Sequence, residues 1–235
     1  MGSAAVVNLG LWALFKAIAS GDRERVLRTL DATPRFASQA MPTGASRQTS
    51  VPYFLDSIAL QVYAGDTALH VAAASYNADL AEVLVSRGAN VRARNRRGAE
   101  PLHAAATGNP KSGHWNPDSQ VATIVYLIEA GADPEAADKN GATPLHRAAR
   151  TRCAAAVQAL LANGAWHSPR NKNGSTPIDL TVVNSGRGGT GSPEALEQNF
   201  RLMDVLIKAG ARLTDRPRSD AEDDDEEEDE DAEEE

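Results

Sequence analysis

Gly141-Ala-Thr-Pro-Leu-His-Arg-Ala-Ala-Arg-Thr-Arg-Cys-Ala-Ala-Ala-Val-Gln-Ala-Leu-Leu-Ala-Asn-Gly-Ala165 decides how this chain is built. Thr143 suits a helix N-cap, and Pro144 then falls at the first helical position, where no backbone donor is needed. In matching stretches, the small runs Val71-Ala-Ala-Ala74 and Ala104-Ala-Ala106 keep that first helix thin. Val157, Leu160 and Leu161 line one face of a second helix, and Gly164 suits its left-handed C-cap. The pattern recurs. Gly65-Asp-Thr-Ala-Leu-His70, Gly98-Ala-Glu-Pro-Leu-His103 and Gly174-Ser-Thr-Pro-Ile-Asp179 open similar units, and the four openings are spaced by 33, 43 and 33 residues. Closing Gly-Ala pairs follow at Gly88, Gly131, Gly164 and Gly210. One such unit cannot bury its apolar stripe alone; stacking on a neighbour does.

With a T-P-L-H-x-A opening on a 33-residue period, these units resemble the ankyrin repeat. The resemblance implies an all-α solenoid of four full repeats, 65–97, 98–140, 141–173 and 174–213, with short hairpin-like fingers between them. Residues 1–34, with Leu14-Phe-Lys-Ala-Ile-Ala-Ser-Gly-Asp22 and Val26…Leu30, resemble a degenerate capping repeat, and 35–64 an irregular connection packed on the side of the first full repeat. Tyr53–Leu60 suits either a short helix or a strand. The match to the family pattern is weaker in the second and fourth units. Glu100 replaces Thr and lacks the hydroxyl the family uses to tie the turn, which predicts a looser opening for the second unit; Asp179 replaces His in the fourth. The implied function is a protein-interaction scaffold rather than an enzyme, with no cofactor.

Composition narrows the alternatives. The 235 residues carry a net charge of −8, but residues 220–235 hold 14 of the 32 acidic side chains and no basic one. The body, 1–219, is therefore net +6, with 24 basic and 18 acidic groups. Residues 216–235 contain no apolar group larger than Ala and Pro, so residues 214–235 are expected to form a disordered acidic tail. No run of about 18 uncharged apolar residues offers a membrane span. Met1–Ala19 is apolar but lacks a basic leader and contains Asn8 and Lys16, so it reads as a helix rather than a signal peptide. The single Cys153 excludes an internal disulfide and suits a reducing, cytoplasmic setting. A monomer is expected.

Several groups of side chains could carry chemistry. His70, His103 and His146 stand in register, but stacked units lie about 10 Å apart, whereas zinc ligands converge to roughly 2.0–2.1 Å. No metal site is expected, and the resemblance implies that these histidines bond the turns of adjacent units. Cys153, beside Arg150 and Arg152 at a helix start, is either a reactive thiol or a small packed residue. The loop Asn184-Ser-Gly-Arg-Gly-Gly-Thr-Gly-Ser-Pro193 lacks the Gly-Lys-Ser/Thr ending of a P-loop and the preceding strand. It is the insertion in unit four, matching Asn109–Asp118 in unit two. Between them, His114, Trp115, Arg150, Arg152 and Arg187 form either an anion-binding notch or, with Trp115 folded down, a lid over helix ends. The notch would make the chain a small-anion binder or minor enzyme.

The segments joining the units carry a second candidate surface. Arg96, Lys139 and Lys172 each stand two residues before a unit's glycine, with Arg94, Arg97 and Arg170 nearby and Arg147 just after His146. A regular period stacks them into a row of cations suited to an acidic protein partner or to the chain's own residues 223–230. The acidic run could instead capture basic partners. Nucleic acid fits poorly, since +6 is modest and the fingers lack interleaved aromatics.

Overall fold

The computed structural model describes residues 3–46, 50–108, 115–182 and 193–214. Its helices come in pairs: α1 (Ser3–Ala19) with α2 (Arg23–Ala32), α3 (Ala68–Ala74) with α4 (Ala78–Ser86), α5 (Pro101–Ala106) with α6 (Pro117–Glu129), α7 (Pro144–Arg150) with α8 (Ala154–Ala162), and α9 (Asp179–Val182) with α10 (Pro193–Lys208). The first helices stack as one row, α1 on α3, α3 on α5, α5 on α7 and α7 on α9. Behind them α4, α6, α8 and α10 form an outer row. This is a helical solenoid in single file.

The sequence accounts for both rows. Ala72, Ala105 and Ala148 are fully buried on the inner helices, where a larger side chain would hold neighbouring pairs apart. Leu69, Leu102 and Leu145 share one core with Leu80, Leu84, Ile124, Leu127, Val157, Leu160, Leu202 and Leu206 of the outer row. Each buried leucine contributes about 1.5–3 kcal/mol on transfer. The outer helices end in a common closure. Ala89, Ala132, Ala165 and Ala211 each donate an N–H to the carbonyl five residues earlier, at 2.9–3.0 Å. That bond needs a left-handed residue just before the donor, such as Gly131 at φ 101°.

Residues 35–64 use both structures that Tyr53–Leu60 allowed. A 3-10 turn, Val51–Tyr53, leads into a hairpin of β1 (Phe54–Leu55) and β2 (Leu60–Gln61) joined through a second 3-10 turn at Asp56–Ile58, with Phe54 paired to Gln61 and Leu55 to Leu60. The segment before it runs antiparallel to residues 62–67. Met41 N–H donates to Asp66 O at 2.8 Å and Ala45 N–H to Val62 O at 2.7 Å. Met41, Leu55 and Val62 join the core there, and Trp12 of α1 meets Tyr53 edge-on at 6.2 Å. Among the described residues, no helix is long and apolar enough to cross a membrane.

Candidate interaction surface

Each opening turn is tied by one side chain. The N–H groups of Thr67, Glu100 and Thr143 donate to Nδ1 of His70, His103 and His146, all at 3.1 Å. A backbone N–H can only donate, so Nδ1 is the acceptor and Nε2 carries the proton. Nε2 then donates across to the next pair's carbonyl: Ala99, Ala142 and Ser175, again all at 3.1 Å. The histidines are structural staples from one unit to the next.

The looser second turn expected from Glu100 is not observed. The Glu100 carboxylate replaces the threonine hydroxyl, accepting from the backbone N–H at His103. Arg94 Nε donates to its Oε1 at 3.1 Å. Burial still dominates the carboxylate, which is raised above its ordinary value although Arg94 opposes the shift. Its Oε2 is buried without a hydrogen-bond partner. Replacing Glu100 by threonine should therefore stabilise the fold at pH 7 by about 1 kcal/mol, because half-exposed Arg94 returns to water cheaply. A higher urea midpoint with unchanged slope is the expected result. A lower one would show the ion pair to be net stabilising.

Asp179 performs the histidine's task in the last pair with opposite polarity. Its Oδ2 accepts from Thr176 N–H at 2.8 Å and from Thr176 Oγ1 at 2.7 Å. Where a histidine donates onward to a carbonyl, Asp179 Oδ1 accepts the Thr214 N–H at 2.9 Å. Burial works against the carboxylate, but these donors hold it below its ordinary value.

The fingers form a hydrogen-bonded ladder. Asn95 Oδ1 accepts from the N–H groups of Arg97 and Ala99, Asp138 Oδ1 from Asn140 and Ala142, and Asn171 Oδ1 from Ser175, all at 2.9–3.0 Å. Successive fingers then bond each other: Arg96 N–H to Ala64 O at 2.7 Å, Lys139 N–H to Arg97 O at 2.9 Å, and Lys172 N–H to Asn140 O at 3.0 Å. Gly141 shows why glycine recurs here. It sits at φ 72°, and an added Cβ would lie 2.9 Å from Lys172 N.

The finger cations differ in how free they are. Lys139 and Lys172 are exposed, as is Arg170, which donates to Gly174 O at 2.7 Å. Arg94, also exposed, pairs with Glu100. Arg96 and Arg97 are half-buried, their guanidinium carbons 5.3 and 5.2 Å from the Tyr63 ring centroid. Arg147 lies on α7 as expected but does not extend the row outward. It folds back on Asp138, with Nη2 to Oδ2 at 2.6 Å and only 15% of its side chain exposed.

The loop candidates fall differently. His114 and Arg187 lie outside the described residues, as do most of both insertions. Trp115 packs on the core, and its Nε1 donates to Gln120 Oε1 at 2.9 Å, while Gln120 Nε2 donates to Ala105 O at 2.9 Å. A side chain at Gly108 would run into Cys153 Sγ and approach Trp115, so glycine lets the indole close over the helix ends. This is the lid arrangement. Arg152 is 7% exposed, so it does not reach outward beside half-buried Arg150. Cys153 is fully buried, and burial pushes its thiol up to about 11, so it is a packed residue, not a nucleophile.

One surface residue escaped the sequence reading. Asn90 and Asp133 follow the closing Gly-Ala of their units, and each side chain accepts the N–H two residues on, at 2.9 Å. Trp166 holds that position in the next unit and cannot make the turn; its own N–H goes to Glu135 Oε1 at 2.8 Å and its ring is exposed. Aligning the units on their Gly-Ala pairs would have exposed this substitution.

Stacked helix pairs, histidine staples and bonded fingers define a solenoid repeat protein. The profile of ankyrin repeats (three copies) matches residues 44–114 and 117–215, well over half of the sequence. The chain belongs to the ankyrin-repeat family, whose repeats generally mediate protein–protein interaction. Among curated proteins, none matches the chain significantly.

Proposed function

We propose that this protein is a non-enzymatic, monomeric cytoplasmic scaffold that binds an acidic surface of a partner protein along its fingers. The observation that carries this reading is the finger-to-finger bonding of Arg96, Lys139 and Lys172, which holds neighbouring cations in one file. Lys139, Lys172 and Arg170 supply the outward charge, with Arg94, Arg96 and Arg97 at one end and Arg147 behind the row. Such charges set encounter rate and partner choice more than final affinity. Exposed Trp166 would add the aromatic anchor that interfaces favour. The acidic residues 223–230 compete for the same cations.

Charge reversal tests this directly, using a poly-glutamate peptide as probe. Lys139→Glu with Lys172→Glu should weaken binding about ten-fold at low salt, a gap closing as the Debye length falls to about 3 Å at 1 M. Both side chains are exposed, so the thermal midpoint should hold. Removing residues 219–235 should strengthen the same binding. Equal affinity in all three proteins would overturn the proposal. The rival reading, an anion notch at the inserted loops, depends on His114 and Arg187, which lie outside the described residues.

A further inference from the structure

The file of helix pairs ends on an open face. Residues ten, seven and three positions before each closing glycine occupy one side of the outer helix: Ala78, Ala81 and Val85 on α4, Val121, Ile124 and Ile128 on α6, Ala154, Val157 and Leu161 on α8. In these units the middle residue is sealed, with Ala81, Ile124 and Val157 each 0% exposed. The equivalents on α10 are Phe200, Met203 and Ile207, and Leu196 continues the stripe one turn earlier. Here Leu196 is 48%, Phe200 69% and Ile207 56% exposed. A terminal repeat ordinarily turns a polar face outward; this one presents the apolar side used for stacking.

Two pairs of charges on α10 are already matched. Arg201 pairs with Glu197 and Lys208 with Asp204, both at 2.6 Å. The stripe runs about 16 Å along the helix at 1.5 Å per residue, three turns with anchors at i, i+4, i+7 and i+11. That spacing matches the apolar face of another helix. Residues 215–235 cannot provide it, because they contain no apolar side chain larger than Ala and Pro. A second copy docked by two-fold symmetry would bring two runs of 14 acidic residues to one interface. Charge therefore selects a different occupant. Thr214 is bonded to Asp179, and the acidic run begins at Asp220, within about 20 Å of extended chain.

We propose that the end face of α10 docks an amphipathic basic helix of a partner protein. The partner's apolar side lies on Leu196, Phe200, Met203 and Ile207, and its basic charge complements the 14 acidic side chains among residues 220–235. This surface is separate from the fingers, and its occupation would draw the acidic run away from them.

The probe is a leucine–lysine helix of about 18 residues with leucines on one face, beside a scrambled peptide of the same composition and a leucine–glutamate counterpart. Titrated into the full chain, the amphipathic basic peptide should bind at least about ten-fold more tightly than either control. Phe200→Ser with Ile207→Ser should remove that preference, and truncation after residue 218 should weaken binding and flatten its salt dependence. Lys139→Glu with Lys172→Glu should leave the preference intact, which separates this test from that of the fingers. Equal binding of the scrambled peptide would reduce the effect to bulk charge and overturn the proposal. So would a concentration-dependent dimer of the intact chain that Phe200→Ser dissolves, since the occupant would then be a second copy.

Discussion

Replacing Asp138 by alanine should cost about 3–5 kcal/mol of folding stability, the range expected when one partner of a buried ion pair is removed. Asp138 is buried, accepting the N–H groups of Asn140 and Ala142 through Oδ1 and the Arg147 guanidinium through Oδ2. Its carboxylate feels burial first, but Arg147 more than offsets this and holds it below its ordinary value. Alanine would orphan both finger amides and leave Arg147 unpaired inside the solenoid. The neighbouring units supply the control. Asn95 and Asn171 hold the equivalent finger position, and the residues equivalent to Arg147 are Ala104 and Leu180. Asp138→Asn preserves the Oδ1 acceptor but strands the arginine, and should cost about 1–3 kcal/mol. Adding Arg147→Ala converts the unit to its neighbour's pattern and should recover most of that loss. The coupling energy from a urea-unfolding double-mutant cycle on Asp138→Asn and Arg147→Ala checks this. Strict additivity would show that the pair does not act as a unit.

Arg147 also shows which features the sequence could reveal. Period, capping prolines, alanine runs and closing glycines repeat from unit to unit, so stacking, staples and finger register could be read from them. A side chain's partner is a different kind of information. Arg147 looked like one more cation in a row because its carboxylate lies nine residues earlier, on the preceding finger, where other units place asparagine. Glu100 misled for a related reason. The turn depends on a backbone N–H reaching His103 Nδ1, which needs no hydroxyl, and a carboxylate paired through one oxygen with Arg94 fits the space. Periodicity in the sequence marks Met203, Leu206 and Ile207 as apolar positions of α10, of which Leu206 is buried and Ile207 exposed. Periodicity alone cannot separate the side that seals against α8 from the side left open. Residues 53–60 do not repeat anywhere, so nothing else in the chain could arbitrate between turn and strand.

The staples make acid the condition under which the solenoid should fail. His103 and His146 are buried, and both must stay neutral, because a protonated Nδ1 would point a proton at the N–H it now accepts. Burial and the Arg147 charge lower His103 from 6.5 to about 4, against opposing help from Ala142 O and Asp138. His146 moves the same way, with burial the leading cause. Since the folded value lies below the unfolded one, the unfolded chain binds more protons between them. Stability is therefore full above about pH 6.5 and falls progressively as pH drops toward 4. The His103 shift corresponds to about 3 kcal/mol at 1.36 kcal/mol per pH unit. Glu100 and Glu135 act in the opposite sense, as burial raises both, so the whole-protein curve mixes two signs. The difference between wild type and His103→Gln isolates the staple. Urea midpoints at pH 7, 5.5 and 4.5 should show the variant weaker at neutrality but less sensitive to acid, so the gap narrows as pH falls. Parallel curves would mean that His103 is not held neutral by its surroundings, and the proton assignment at Nε2 would fall with it.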